Sequence, residues 1–122
     1  IYKRYLLNFK NSKDIKILSY ESNSKINYWM NVISFKSLNF KQTYNLSLSL
    51  AKNKIETRRI WRPLNLQSYL KKFETYNINN ANKFYSYSLC VPSDDKLSIP
   101  DIDKISNYII KCHNIIKSNI NL

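Results

Sequence analysis

The sequence predicts one small α+β domain, in which helices cover a short sheet. Its 122 residues fit a single domain, and 43% of them are hydrophobic, which is enough to form a core. Segments rich in aromatic and β-branched residues alternate along the chain with segments of helical spacing. No apolar run approaches the roughly 20 residues needed to cross a bilayer. A membrane span is therefore not expected.

Four helices are predicted. Ile1–Phe9 has helical spacing of its apolar residues and reads as the end of a helix that began upstream. Asn80–Ser88 is predicted as a short helix. The most distinct helix follows Ser98, which has capping-box spacing to Asp101. Its core face is predicted to comprise Ile102, Ile105, Ile109, Cys112 and Ile116.

Phe40–Ala51 fits two patterns. Leucines alternate with serines at 46–50, as in a strand, whereas Phe40, Tyr44, Leu48 and Ala51 share one helical face. The helix is favoured, because Asn53 is well placed as the left-handed residue that ends it.

The strands are predicted at three places: 28–35, 55–60 and 89–91. Asn11–Asn27 is polar and predicted to be rich in loops, with Ile15, Ile17 and Leu18 contacting the surface of the domain. A second loop is expected from Trp61 to about Asn79.

Several kinds of site are excluded. The sequence has no Gly, which rules out a Gly-rich phosphate-binding loop. Cys90 and Cys112 do not form a metal-binding spacing with His113. We interpret the two cysteines as buried small hydrophobes in a reducing, cytoplasmic setting, and the histidine as a surface or flanking residue.

The net charge of +12 has two explanations. An abundance of Lys, Asn, Ile and Tyr with little Ala is expected from an AT-rich coding sequence, and this explanation is favoured. The other is attraction to a polyanion, including the diphosphate of a nucleotide.

One segment, 55–67, combines three arginines within five positions with a Trp, a Pro and side-chain amides. Arg forms forked contacts with phosphate or carboxylate, and Trp offers a flat face to a ring. On residue types alone, a basic strand with a core Trp is the favoured interpretation.

This segment, Ile-Glu-Thr-Arg-Arg-Ile-Trp-Arg-Pro-Leu-Asn-Leu-Gln, resembles the I-E-T-R-P-x-W-x-P-x-H-x-Q stretch of the DegT/DnrJ/EryC1/StrS aminotransferases. Three more blocks resemble that family in the same order: Asn27-Tyr28-Trp29, Leu89-Cys90-Val91-Pro92-Ser93, and Leu97-Ser98 through Asp101-Ile102-Asp103. The resemblance covers nearly all of the chain from about Asn27 onward.

The resemblance implies the small C-terminal domain of a fold-type-I enzyme, with a short, mainly antiparallel sheet covered by helices. Residues 1–26 would be the end of the inter-domain helix and a loop, and 27–122 the small domain itself. The family's enzymes use pyridoxal phosphate to aminate nucleotide-linked keto-sugars, usually from glutamate, for surface polysaccharides or glycans. The large domain, which holds the cofactor lysine, would lie outside this chain. We therefore expect no bound cofactor, no catalysis by the chain alone, and a homodimeric parent enzyme.

The implied substrate-binding residues are Arg58, Arg59, Trp61 and Asn65. Arg58 and Trp61 match the family's motif, as do Pro63 and Gln67. Arg59 stands where the family has Pro, and Asn65 where it has His. An amide cannot carry the charge or relay the proton that a His can, so Asn65 bears on substrate preference and on the activity of the parent.

Two alternatives remain at this point. The chain could be a basic nucleic-acid-binding module, although its lysines are spread out and several aromatics fall in core positions. It could also be a degenerate relative that serves as an interaction domain. If the large domain is absent, an apolar patch is expected near Tyr28, Trp29 and Trp61, with self-association through it.

Overall fold

The computed structural model describes residues 1–19, 23 and 25–118, and these form a four-stranded antiparallel sheet with four α-helices. In chain order the elements are α1 (Tyr2–Phe9), β1 (Ile15–Ile17), β2 (Asn31–Phe35), α2 (Phe40–Lys52), β3 (Arg58–Arg59), α3 (Asn79–Tyr87), β4 (Ser88–Val91) and α4 (Ile99–Ser118). The strand order is β1-β2-β4-β3, and every neighbouring pair is antiparallel. The predicted α+β class with a mainly antiparallel sheet is confirmed.

Helix α1 confirms the first predicted helix and is fixed at both faces. Tyr5 and Phe9 are fully buried beside α4 and the sheet. On the other side, the Arg4 guanidinium forms a forked pair with Asp103 of α4, with Nε–Oδ1 and Nη2–Oδ2 distances of 2.6 and 2.5 Å. Asn8 donates to the same carboxylate at 2.9 Å. These contacts join the first helix to the last.

Strand β1 was not predicted. Residues 11–27 were expected to be mainly loop, but Ile15–Ile17 pairs with β2, and both isoleucines are buried. A segment of three residues is too short to show an alternating strand pattern, so pairing with the neighbouring strand determines its conformation. The part of this predicted loop at residues 20–22 and 24 lies outside the described residues.

Strand β2 is one of the two inner strands of the sheet, and all five of its residues are buried. The predicted strand over 28–35 begins three residues too early, because Tyr28 has a φ of 53°. A left-handed aromatic residue is uncommon and turns the chain away from the sheet. Residues 28–30 therefore precede the sheet, although they are rich in aromatic side chains.

Helix α2 confirms the helical alternative for this segment, but the apolar face that indicated the helix is not the buried one. The buried residues are Thr43, Leu46 and Leu50, whereas Phe40, Tyr44 and Leu48 are about half exposed. The helix starts with a capping box. The Asn39 side chain accepts from the backbone N–H of Gln42, and the Gln42 side chain accepts from the backbone N–H of Asn39.

The left-handed residue that follows α2 is one position later than predicted. Lys54 has a φ of 59°, whereas Asn53 has a φ of −97°. The strand expected at 55–60 shortens to Arg58–Arg59, and short 3₁₀ turns at Leu64–Leu66 and Ser68–Leu70 occupy the predicted loop. Helix α3 and strand β4 agree with the prediction to within one residue.

Helix α4 has the predicted cap: Asp101 accepts from the Ser98 N–H at 3.0 Å, and the Asp101 N–H donates to Ser98 Oγ at 3.3 Å. Its predicted core residues Ile102, Ile105, Ile109 and Cys112 are all buried, and Ile116 is half-buried. Within residues 1–19, 23 and 25–118, no helix is long and apolar enough to cross a membrane.

The prediction that His113 lies at the surface is wrong. The residue is 3% exposed, and its ring stacks on Phe35 with centroids 6.0 Å apart. Its Nε2 lies 3.2 Å from Ser37 Oγ, and its Nδ1 lies 3.4 Å from Asn114 Oδ1. A buried imidazole is tolerated here because both ring nitrogens face an oxygen.

Candidate functional site

The two adjacent arginines of β3 lie on opposite faces of the sheet. Arg58 pairs with Cys90, which pairs with Val32, whereas Arg59 pairs with Leu89, which pairs with Ile33. Directly paired residues of antiparallel strands share a face. The Leu89 and Ile33 face forms the hydrophobic core, so Arg59 projects on the core side and Arg58 on the other.

An open cleft of about 400 Å³ lies at the β3 edge of the sheet, on the side of Arg58. The residues that precede β2, those of β3 and those at the end of β4 form its lining: Trp29, Met30, Arg58, Arg59, Ile60, Trp61, Cys90, Val91 and Ser93. This volume is within the range of small-molecule sites. The predicted segment 58–61 therefore borders a cleft and is not packed inside the domain.

Two tryptophans form the aromatic wall of this cleft. Trp29 and Trp61 are 67% and 71% exposed, and their ring centroids are 6.1 Å apart at an angle of 51°. Tyr28 is also exposed, and its ring lies 4.9 Å from that of Tyr2. The apolar patch expected near Tyr28, Trp29 and Trp61 is confirmed. Such a concentration of exposed aromatic surface is typical of a binding site or an interface.

Arg58 is available to a ligand. Its Nε and Nη2 donate to Glu56 Oε1 at 2.9 and 2.8 Å, yet the side chains of Arg58 and Glu56 are 80% and 73% exposed. An ion pair this exposed contributes little to stability, because water screens it. The guanidinium can therefore exchange this carboxylate for another anion at small cost.

Arg59 is engaged within the domain. Its Nη1 and Nη2 donate to the carbonyl oxygens of Tyr85 and Phe40 at 3.1 and 2.6 Å, and its Cζ lies 3.7 Å from the Phe40 ring centroid. Burial lowers the pKa of this guanidinium. A substrate contact by Arg59 stays a prediction, whereas its contacts in the structure connect β3 to α2 and α3.

Asn65 lies in the first 3₁₀ turn, is half-buried, and is separate from the residues that line the cleft. Gln67 Nε2 donates to the Arg62 carbonyl at 3.3 Å, so the matching Gln of the motif closes this turn. A role for Asn65 at the substrate remains a prediction.

Three residues of the cleft were not predicted as site residues from the sequence, and one of them, Cys90, was predicted to be buried but is only half-buried. Met30 and Cys90 lie side by side, with a sulfur–sulfur distance of 3.9 Å, and burial raises the pKa of the Cys90 thiol. Ser93 accepts from Asn31 N and Nδ2 at 3.2 and 2.9 Å, which fixes the end of β4 against β2. The only sequence signals for these residues were the predicted strand over 28–35, which includes Met30, and the family-like Leu-Cys-Val-Pro-Ser block, which includes Cys90 and Ser93.

The residues of the cleft do not fit a pyridoxal phosphate site by themselves. No lysine is among the lining residues, so the cleft offers no amine for the cofactor's aldehyde. In the part of the chain that the structure describes, no group of three or more His, Cys, Asp or Glu is arranged to hold a metal ion.

Comparison with solved structures gives partial matches of high similarity in fold. Spr1654 of Streptococcus pneumoniae, assigned as a candidate sugar aminotransferase, matches in its apo form with a TM-score of 0.85 and 18% identity, over 98% of this chain and 31% of that chain. PseC of Helicobacter pylori, an aminotransferase of pseudoaminic acid biosynthesis, matches with a TM-score of 0.81 and 19% identity, over 93% and 31%. DesI, solved with its TDP-sugar product, matches with a TM-score of 0.77 and 11% identity, over 98% and 31%.

At these identities the likeness shows a shared fold, and the chain spans about 30% of the length of these proteins. The sequence comparison is more specific. The model of the DegT/DnrJ/EryC1/StrS aminotransferase family matches residues 1–110, which include the Arg58–Trp61 segment, strand β4 with the Pro92 and Ser93 that follow it, and most of α4. This chain belongs to the DegT/DnrJ/EryC1/StrS aminotransferase family.

Proposed function

We propose that the chain is the C-terminal part of a pyridoxal-phosphate-dependent aminotransferase that acts on nucleotide-linked keto-sugars. The reaction transfers an amino group from a donor such as glutamate, and its product serves as a precursor for surface polysaccharide or glycan. Support comes from family membership and from related proteins that include a pyridoxal-phosphate form and a TDP-sugar product complex.

The observation that carries this proposal is the cleft beside Arg58. An exposed, exchangeable guanidinium lies on the same cleft as a pair of exposed tryptophans. Arg binds phosphate oxygens through two parallel hydrogen bonds, and an aromatic face packs against a sugar or base ring. In this proposal Arg58 binds the diphosphate and Trp61 contacts the sugar side, while Arg59 holds β3 in place.

The cofactor belongs to the rest of the parent enzyme. Because no lysine lines the cleft, the chain alone is proposed to be inactive, and a larger N-terminal domain would supply the cofactor site. Pyridoxal phosphate would provide the electron sink for amino transfer there. The partners are that domain, the nucleotide-sugar and the amino donor.

We further propose a homodimeric, cytoplasmic parent enzyme. The exposed aromatic surface at Trp29 and Trp61 supports a contact with a further domain or subunit. The two free cysteines, Cys90 and Cys112, support a reducing, cytoplasmic setting for this proposal.

The test is an assay of the chain joined to the remainder of its parent, with a nucleotide-linked keto-sugar and glutamate as substrates. Arg58→Gln should lower kcat/KM by roughly 10- to 100-fold, because a charged hydrogen bond to phosphate is worth about 1.5–3 kcal/mol. Lys41→Gln is the control: it also removes one positive charge, but from an exposed residue of α2 outside the cleft, and it should leave kcat/KM unchanged.

Failure of the parent to aminate any nucleotide-linked keto-sugar would refute the proposed function. If amination occurs but Arg58→Gln behaves like Lys41→Gln, the activity stands and the assignment of Arg58 is wrong.

A further inference from the structure

A second pocket lies on the other side of the arginine-rich segment, between α2 and α3. Its volume is about 430 Å³, and its lining consists of Phe40, Arg62, Leu66, Asn82, Tyr85 and Ser86. The set shares no residue with the cleft at Trp29 and Trp61. The two sites are therefore lined by different residues, although Arg59 of the cleft packs its guanidinium behind the aromatic rings of the second pocket.

The pocket has an aromatic wall that is already fixed in position. The Phe40 and Tyr85 rings are 5.7 Å apart at an angle of 52°, and the Arg59 guanidinium lies against both, 3.7 Å from Phe40 and 5.7 Å from Tyr85. Arg59 also binds the carbonyl oxygens of both residues. Phe40 is nevertheless 48% exposed, so ring surface remains open for a second flat group.

The pocket is positively charged. Arg62 lines it, and within the described residues its guanidinium makes no ion pair or hydrogen bond. The neighbouring Arg59 is bound by carbonyl oxygens and rings, which do not neutralise its charge. No carboxylate is among the lining residues. Such an arrangement favours an anion.

Neutral polar groups complete the lining. Ser86 Oγ donates to the Lys83 carbonyl at 2.6 Å, which leaves its lone pairs free to accept. Asn82 Oδ1 is buried and has no hydrogen-bond partner within the described part of the chain. Both oxygens are hydrogen-bond acceptors and do not bind an anion, so the anionic group of a ligand would have to be bound by Arg62.

We propose that this pocket binds a small planar anion, namely an aromatic ring that bears a phosphate or a carboxylate. The ring stacks on Phe40 and Tyr85, and the anionic group binds the fork of Arg62. The site is separate from the cleft of the proposed aminotransferase function and does not depend on it.

The experiment is an NMR titration of the 122-residue chain with phenyl phosphate, with benzoate, and with inorganic phosphate as the ring-free control. Phenyl phosphate should bind saturably, with a dissociation constant on the order of 1 mM, and should shift the amide signals of Asn82, Tyr85 and Ser86. Benzoate should shift the same signals; a shift with only one of the two identifies the preferred anionic group. Inorganic phosphate should bind about tenfold more weakly, because it lacks the ring.

Two variants locate the site. Arg62→Gln should weaken phenyl phosphate binding about tenfold, and Phe40→Leu should weaken it while leaving inorganic phosphate binding unchanged. Lys104→Gln removes an exposed charge on α4 and should have no effect. The proposal is overturned if no saturable shift occurs, if inorganic phosphate binds as tightly as phenyl phosphate, or if Lys104→Gln weakens binding as much as Arg62→Gln.

Discussion

Tyr5 is the residue through which α1 is anchored to the sheet, and its replacement gives a prediction of defined size. The side chain is fully buried, and its hydroxyl donates to the Pro92 carbonyl at 3.1 Å, just after β4. Its ring stacks on Phe9 with centroids 6.3 Å apart, and burial raises the pKa of its hydroxyl. Tyr5 therefore combines one buried hydrogen bond with one aromatic ring of packing.

The two contributions can be separated by two substitutions. Tyr5→Phe keeps the ring but leaves the Pro92 carbonyl without this donor, which should cost about 1–2 kcal/mol of the free energy of unfolding. Tyr5→Ala also removes the ring and should cost about 3–5 kcal/mol. Tyr76→Phe makes the same chemical change at a residue that is 90% exposed, and should stay within about 0.5 kcal/mol of the native chain.

Urea unfolding monitored by circular dichroism measures these differences, because both tryptophans are exposed and report poorly on the core. With a urea m value of about 1–2 kcal/mol/M, Tyr5→Phe should lower the midpoint by roughly 1 M. The reasoning is refuted if Tyr5→Phe behaves like Tyr76→Phe, or if it costs as much as Tyr5→Ala at an unchanged m value.

Two further predictions concern the clamp between α1 and α4, formed by Arg4 and Asn8 with Asp103, and the turn after α2. Arg4 and Asn8 lower the pKa of Asp103 to about 2, from an ordinary value of 3.8. A lowered carboxyl pKa stabilises the fold above pH 4, and the stabilisation is lost as the pH falls towards 2. Thermal unfolding between pH 5 and 2 should therefore show a smaller loss of Tm for Asp103→Asn than for the native chain; equal slopes would contradict the clamp. Lys54→Gly should raise the free energy of unfolding by about 1 kcal/mol, because Lys54 has a φ of 59°, whereas Asn53→Gly should not stabilise the fold. Urea midpoints compare the two, and a larger gain at Asn53 would refute this assignment.

The elements predicted well from sequence are those whose signals are local. The cap at Ser98 and Asp101 and the isoleucine spacing that follows it fixed α4 without reference to the rest of the chain. Helix α2 was predicted, but its buried face was not. Apolar residues occur on both of its sides, and packing against the rest of the domain decides that Leu46 and Leu50 are inside while Tyr44 is not.

The features that were missed depend on partners distant in sequence. Strand β1 exists because Ile15–Ile17 pairs with β2. His113 is buried against Phe35 and Ser37, and Ser37 is 76 positions away in the sequence. At the candidate site, the motif identified Arg58 and Trp61 as a unit, but only the register with β4 shows that Arg58 is free to face a ligand while Arg59 turns its guanidinium to the Phe40 and Tyr85 carbonyls.

The central claim is that this chain forms one wall of a substrate cleft and has no cofactor chemistry of its own. Titration with pyridoxal phosphate, followed by visible absorption, tests it most directly. The chain alone should show no saturable band with sub-millimolar affinity, and the chain joined to the remainder of its parent should show one. A sub-millimolar cofactor complex with the 122-residue chain alone would contradict the account.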